Sequence, residues 1–370
     1  MKSLYPDQVN RLLVRGTNWV GDAIMSVPAL REIRRLFPQS KITLLVRPWV
    51  KDVYSDVAFV DEVIELDSRG RHRGWSGFGR LASELRRREF DLAILLPNSI
   101  GAALAVWRAR IPGRLGYERD WRGPLLTHPS KIDPEVQKVH QVYYYLGILS
   151  GAGLLPTRLW EDTNYQPSID IGVRESDRQA ARRLLERKSV APGEMLIGVN
   201  PGASYGPAKR WLPDRYASVA DRLAEIHGAR ILLFGAANEI SIAHEIAKQM
   251  KHAPVVLAGE TTLGELMAVI RECSLLLTND SGTMHLAAAL DTPQLAIFGS
   301  TSEIATGPLG SKSRVIKHPV ECSPCFLREC PIDFRCMTRI PADQVFEAAD
   351  LLLRDSVNSP QRRRDAEKTI

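Results

Sequence analysis

The chain reads as an α/β protein made of two doubly covered parallel sheets, and three observations lead there. Short apolar runs of strand length alternate along the sequence with helical patterns of roughly ten residues or more. The 370 residues are enough for two domains of ordinary size, each with its own core. The alternation occurs twice, on either side of residues 151–167, where Gly, Pro, Thr and Asn gather and periodicity lapses. The expectation is two Rossmann-like halves, residues 1–160 and 161–355, followed by a polar tail at 356–370 expected to be disordered.

Taken in order, the first half offers strands at 12–14, 42–46, 63–66 and 92–96, and a helical stretch at 136–150. The second offers strands at 196–199, 231–234, 255–257, 274–277 and 294–298, and a last helix at 341–353. No N-terminal stretch has the apolar core of a signal peptide, and no apolar run approaches the ~20 residues of a membrane helix, so a cytosolic protein is expected.

Charge is unevenly shared. Residues 1–150 hold 23 Lys and Arg against 16 Asp and Glu, and the remainder holds 26 against 27, so the first half carries the whole excess of +6. Arg69, Arg71 and Arg73 lie beside Trp75; Arg86 to Arg88, Arg108, Arg110, Arg114, Arg119 and Arg122 follow, with Trp107 and Trp121 among them. Such a face attracts phosphates or an anionic membrane surface, or is simply solvated. No nucleic-acid motif accompanies it. Four of the five cysteines, Cys322, Cys325, Cys330 and Cys336, have the spacing C-x2-C-x4-C-x5-C. They read as free thiols, with a tetrahedral zinc as the alternative.

Three polar, glycine-bearing turns follow three of the strands. The first is Arg15-Gly16-Thr17-Asn18-Trp19-Val20-Gly21-Asp22. The second runs from Asn200-Pro201-Gly202-Ala203-Ser204-Tyr205-Gly206 through Pro207-Ala208-Lys209-Arg210-Trp211. The third, Thr278-Asn279-Asp280-Ser281-Gly282-Thr283-Met284-His285, precedes an Ala/Leu-rich helix, so Ser281 and Gly282 fall at a helix N-terminus. The first N–H groups there lack intrahelical partners and the dipole is positive, which suits a diphosphate; alternatively Asp280 or Ser281 merely caps the helix.

Each loop offers candidate groups. Lys209 is the best cation for a diphosphate, if it is not just an exposed loop lysine, and Ser204 could add a hydroxyl. Trp211 is expected to pack beneath that loop. Ser281, Gly282 and Thr283 would offer N–H groups, while Asp280 could accept from sugar hydroxyls. His285, one turn into the helix, reads equally as a phosphate ligand or a satisfied core residue. Asp22 reads as an N-cap or as a carboxylate placed to take a proton. The sequence has no Asp-x-Asp pair of the kind that holds a divalent ion on a nucleotide diphosphate, which favours neutralisation by Lys209 and the helix N-terminus.

Together these turns resemble glycosyltransferase family 9. The resemblance covers nearly the whole chain, extending to Phe298-Gly299-Ser300-Thr301, to Ala305-Thr306-Gly307-Pro308-Leu309-Gly310 and to the stretch from Cys322 to Met337. It implies a GT-B fold, with two facing Rossmann-like domains, the first binding acceptor and the second an ADP-sugar. It also implies an inverting transfer of L-glycero-D-manno-heptose from ADP-heptose to the first heptose of the lipopolysaccharide inner core; other members differ chiefly in acceptor.

Residue by residue, the match of Gly21-Asp22 to the family motif makes Asp22 the general base. Thr261 and Thr262 match the region that holds adenine, and Thr17 and Asn18 would position acceptor or donor. The ribose-binding acid stays unassigned, because Glu239 fits only with a shift of register. No cofactor is implied: ADP-heptose is a co-substrate and no divalent metal should be needed. The partners implied are ADP-heptose and a lipid A-Kdo-heptose acceptor, with peripheral attachment to the inner leaflet of the inner membrane and no nucleic acid. Two other classes stay open: a sugar-nucleotide-binding protein without turnover, and a sugar-nucleotide epimerase of similar architecture.

Overall fold

The computed structural model of the chain describes residues 4–357. The chain divides into two compact units, Met1–Gly172 and Val173–Ile370. The division falls later than the expected boundary at residue 160. Hydrogen bonds explain why: the Arg31 guanidinium donates to the Asp170 carbonyl at 2.7 Å and the Gly172 N–H donates to the Asp56 carbonyl at 3.2 Å, so this segment is stitched to the first unit.

The first unit holds β1 (Arg11–Arg15), β2 (Lys41–Val46), β3 (Glu62–Glu65), β4 (Leu92–Leu95), β5 (Gly113–Tyr117) and β6 (His128–Ser130). The second holds β7 (Leu196–Asn200), β8 (Arg230–Leu233), β9 (Val255–Val256), β10 (Leu275–Asn279), β11 (Gln294–Phe298) and β12 (Ser313–Lys317). The sheet orders are β3-β2-β1-β4-β5-β6 and β12-β11-β10-β7-β8-β9, and the pairings are parallel throughout. Counted from its own first strand, each unit therefore repeats the doubly wound order 3-2-1-4-5-6.

Central strands are buried on both faces and so read as continuous apolar runs. Leu12, Leu13 and Val14 of β1 and Leu275, Leu276 and Leu277 of β10 are fully buried. β5, β6 and β12 do not stand out in the sequence. Pro129 is tolerated in β6 because that strand is an edge, paired only to β5; β12 is likewise an edge and only partly buried. Gly113 opens β5 because a Cβ there would come within 2.9 Å of the Asp91 carbonyl oxygen.

The last helix, Ala342–Val357, outruns the expected 341–353, and the rest of the expected disordered tail lies outside the described residues. Among the described residues no helix is long and apolar enough to cross a membrane.

In this strand order the direction of winding reverses between β1 and β4 and, in the second unit, between β7 and β10. Ligands bind outside the carboxyl ends of the strands at such a switch point. The three polar turns follow β1, β7 and β10, so each lies at a switch point of its own unit.

Candidate active site

In the second unit, β10 ends at Asn279 and the helix Gly282–Ala289 begins directly, with Ser281 as its N-cap in extended conformation. Ser281 does not cap with its side chain, because its hydroxyl is shared with Thr278 Oγ1 at 3.1 Å and Asn200 Nδ2 at 3.4 Å. Ser281, Gly282 and Thr283 are partly exposed while the rest of the helix is buried. What reaches the surface is therefore a helix N-terminus whose cap side chain is engaged elsewhere, suited to an anion. His285 is buried at 4 % exposure, like the rest of the helix from Met284 on.

The loop after β7 is held from below. Trp211 is buried as expected; its backbone N–H donates to Asn279 Oδ1 at 3.0 Å and its indole N–H to the Ile340 carbonyl at 3.2 Å. Asn279 Nδ2 donates to the Pro201 carbonyl at 2.7 Å, so one amide ties the two switch-point loops together. On this frame Lys209 Nζ meets Asp280 Oδ2 at 2.5 Å, and the Thr301 hydroxyl donates to the same oxygen at 2.5 Å. The side chains of Lys209 and Asp280 are 13 % and 5 % exposed, and the ammonium lies 4.8 Å from the centre of the Tyr205 ring. Two residues assigned separately to phosphate and sugar thus form one pair. Ser204 lies exposed on the same loop.

The cysteine-bearing segment is a strut for this loop. The N–H groups of Cys325 and Phe326 donate to the Ser300 carbonyl at 3.1 and 2.8 Å, next to Thr301. The Tyr205 hydroxyl donates to the Phe326 carbonyl at 2.6 Å and the Ala208 N–H to the Arg328 carbonyl at 2.9 Å. Gly206 permits that approach, since a Cβ would sit 2.4 Å from the Arg328 oxygen. Cys322 and Cys325 are exposed, Cys330 is half-buried and Cys336 buried. Among the described residues no group of three or more His, Cys, Asp or Glu could hold a metal ion.

Glu239 is a candidate that the sequence left unassigned. It follows β8, is buried at 5 % exposure, accepts from the Ala236 N–H at 3.0 Å and faces the Arg210 guanidinium at 3.9 Å. Oε1 has no hydrogen-bond partner, and Gly202 leaves room for the carboxylate, because a Cβ there would lie 2.3 Å from it. An acid after the second strand of a doubly wound unit stands where ribose hydroxyls are bound. The Thr262 hydroxyl and the Glu265 carboxylate form a capping box at the start of Leu263–Glu272, with Glu265 N donating to Thr262 Oγ1 at 3.2 Å. Thr261 lies half-buried just before it.

In the first unit Asp22 is in the first turn of the helix Val20–Met25, whose N-cap is Trp19, so Asp22 is not the cap. Its carboxylate Oδ1 accepts from the Tyr145 hydroxyl at 2.9 Å. Burial first, and the Asp22 charge next, push the Tyr145 phenol well above its ordinary pKa, so it stays protonated and donates.

Thr17 is buried at 4 % exposure, and among the described residues its hydroxyl has no hydrogen-bond partner. Asn18 Oδ1 accepts from Arg15 at 2.6 Å and from Arg47 at 3.2 Å, and its carbonyl accepts from the Trp49 indole at 2.8 Å. Burial, aided by Arg47, lowers the Arg15 pKa to about 9, so the guanidinium remains charged at neutral pH. Arg47 and Arg69 lie 5.7 and 4.9 Å from the centre of the Trp49 ring. Three cations therefore follow the carboxyl ends of β1, β2 and β3.

Two doubly wound units with anion-receptive turns at their switch points are the framework shared by glycosyltransferases of the GT-B class. The glycosyltransferase family 9 (heptosyltransferase) profile matches residues 78–334, and the chain belongs to that family. Lipopolysaccharide heptosyltransferase 2 of Salmonella typhimurium is 33% identical over 317 residues, spanning 83% of this chain and 88% of that protein. The structure of E. coli ADP-heptose LPS heptosyltransferase II matches with a TM-score of 0.77 at 30% identity, covering 93% of this chain and 99% of the other. A family 9 glycosyltransferase from Veillonella parvula matches at 0.82 and 26% identity, covering 96% and 100%.

Proposed function

We propose that this enzyme transfers L-glycero-D-manno-heptose from ADP-heptose to the first heptose of the lipopolysaccharide inner core, with inversion at the anomeric carbon. The observation that carries the reading is the Lys209–Asp280 pair beside the open N-terminus of Gly282–Ala289, a place built for an anionic leaving group next to a sugar. The relatives named above support heptose as the sugar.

In this reading the acceptor hydroxyl oxygen forms a bond to the anomeric carbon as the bond from that carbon to the diphosphate breaks. ADP leaves with the electron pair, and the hydroxyl proton passes to Asp22, which the Tyr145 phenol orients. One carboxylate suffices for inversion. Lys209 and the N–H groups of Gly282 and Thr283 take the diphosphate, with Ser204 on the loop beside them. Asp280 turns to a sugar hydroxyl, Glu239 takes the ribose, and Thr261 lies toward adenine. Charge on the diphosphate is met without a divalent ion, so chelation should leave the rate unchanged. The lipid A-Kdo-heptose acceptor is reached from the cytoplasmic side through reversible, peripheral attachment to an anionic membrane.

The test is mass analysis of product formed from ADP-heptose and defined truncated core acceptors. A gain of one heptose on an acceptor ending in the first core heptose is expected. Addition only to a heptose-free acceptor, or only to a longer core, would replace this acceptor with that of another family member.

A further inference from the structure

The helices Gly74–Arg87 and Ile100–Arg108 frame a hollow of about 720 Å³ lined by Arg80, Arg86, Arg87, Arg108 and Arg110. It is separate from the site above. The chain passes from Arg87 toward β4 and from Arg110 toward β5, so these arginines gather near the amino ends of the strands, whereas Asp22 follows the carboxyl end of β1. Glu84 is the one carboxylate on the lining, and it is already engaged by Arg71 and by His72 Nε2 at 3.2 Å. Among the described residues none of the five lining arginines has a carboxylate partner; Arg86 donates to the Arg108 carbonyl at 2.7 Å, and that bond fixes the two helices to each other.

Two further features single out the patch. Arg110 has φ +61°, a left-handed backbone that glycine or asparagine would adopt more easily, yet a long cation stands there and lines the hollow. Trp75 and Trp107, on the same two helices, are 90% and 48% exposed, as aromatic rings are where they sit at a lipid interface. By contrast, two other arginines of the basic stretch are structural: Arg122 is fully buried and donates to the Tyr117 carbonyl at 2.8 Å, and Arg114 donates to the carbonyls of Leu125 and Ile111 at 2.6 Å.

We propose that this arginine hollow, with its flanking tryptophans, is where the protein docks on the phosphate headgroups of an anionic bilayer. The proposal rests on the reading that the acceptor is lipid-borne. Unpaired, exposed guanidiniums on two helices supply the attraction, and the tryptophan rings supply apolar contact at headgroup depth.

The experiment is co-sedimentation with phosphatidylcholine vesicles, with and without phosphatidylglycerol, at low and high salt. The test protein carries Arg80→Ser, Arg87→Ser and Arg110→Gly, which spare the Arg86 tie and relieve the left-handed arginine. The control removes three exposed charges from the second unit, Arg182→Ser, Arg183→Ser and Arg187→Ser. Wild type should favour anionic vesicles, less so at high salt; the test protein should partition at least about tenfold more weakly and the control within about twofold of wild type. Both should keep wild-type turnover on a soluble, delipidated acceptor.

Equal wild-type binding to neutral and anionic vesicles, wild-type partitioning of the test protein, or tighter binding to a DNA duplex than to anionic vesicles would overturn the proposal. Absence of heptose transfer with the vesicle pattern intact would instead remove the functional reading and leave the docking surface standing.

Discussion

The second unit presents its cation already paired with a carboxylate, and the first holds its cations on neutral partners. Lys209 is held by Asp280, Asp280 by Thr301, and the loop carrying Lys209 by the Phe326 and Arg328 carbonyls. At the corresponding edge of the first unit, Arg15, Arg47 and Arg69 gather around Asn18 and Trp49, while the carboxylate Asp22 is held by a neutral phenol. Strand order is the same in both. The difference lies in how each edge meets charge: one is a preset counter-ion network that an anion can enter by exchanging one negative group for another, and the other is an electropositive surface with one oriented carboxylate. In the proposed function, binding of the nucleotide falls to the first kind of edge and proton removal to the second.

The strongest way to break that comparison is Asp22→Asn, which keeps size and most hydrogen bonding but cannot accept a proton at neutral pH. Turnover should fall by roughly 10²-fold or more, the scale of a lost general base, with the melting temperature unchanged. Steady-state kinetics beside a melting curve check this. Next in size is Lys209→Gln, chosen over alanine because it can still donate to the buried Asp280. Loss of a charge-assisted contact present both in the bound donor and during departure should lower donor affinity and turnover together, each by about tenfold.

Tyr145→Phe removes only the bond that orients Asp22. Turnover should drop by about tenfold, the worth of a hydrogen bond to a charged group, while the donor KM stays put. A change confined to donor KM would shift Tyr145 from base positioning to binding. The smallest effect is expected from Tyr205→Phe, which keeps the ring beside Lys209 but gives up the 2.6 Å bond to Phe326. Donor KM should rise about threefold with turnover nearly intact; an unchanged KM would deny the strut a role in placing Lys209.

Much of this arrangement is legible in the sequence because buried parallel strands must be apolar and switch-point loops must be polar. β1, β7 and β10 and the three turns after them show that contrast plainly. β5 and β6 do not, because a glycine-containing strand and a proline-bearing edge strand carry little periodic signal. Within the site, Lys209, Asp280 and Ser281 can be read from their loops, whereas their mutual pairing depends on two loops far apart in sequence. Tyr145 sits in a helix with no motif of its own, and its contact with Asp22 spans most of the first unit. Glu239 is legible as a carboxylate after a strand, whereas its close approach to Gly202 is not. Arg122 shows the opposite case: a cation that reads as part of a basic face is committed to buried carbonyls.

The most direct test of the division between the units is a calorimetric titration of ADP into the Asp22→Asn and Lys209→Gln proteins, read against wild type. The account predicts an Asp22→Asn dissociation constant within about twofold of wild type and a Lys209→Gln constant raised by about tenfold. Weakened ADP binding in Asp22→Asn together with wild-type binding in Lys209→Gln would contradict it, and would assign the nucleotide to the edge that carries the base.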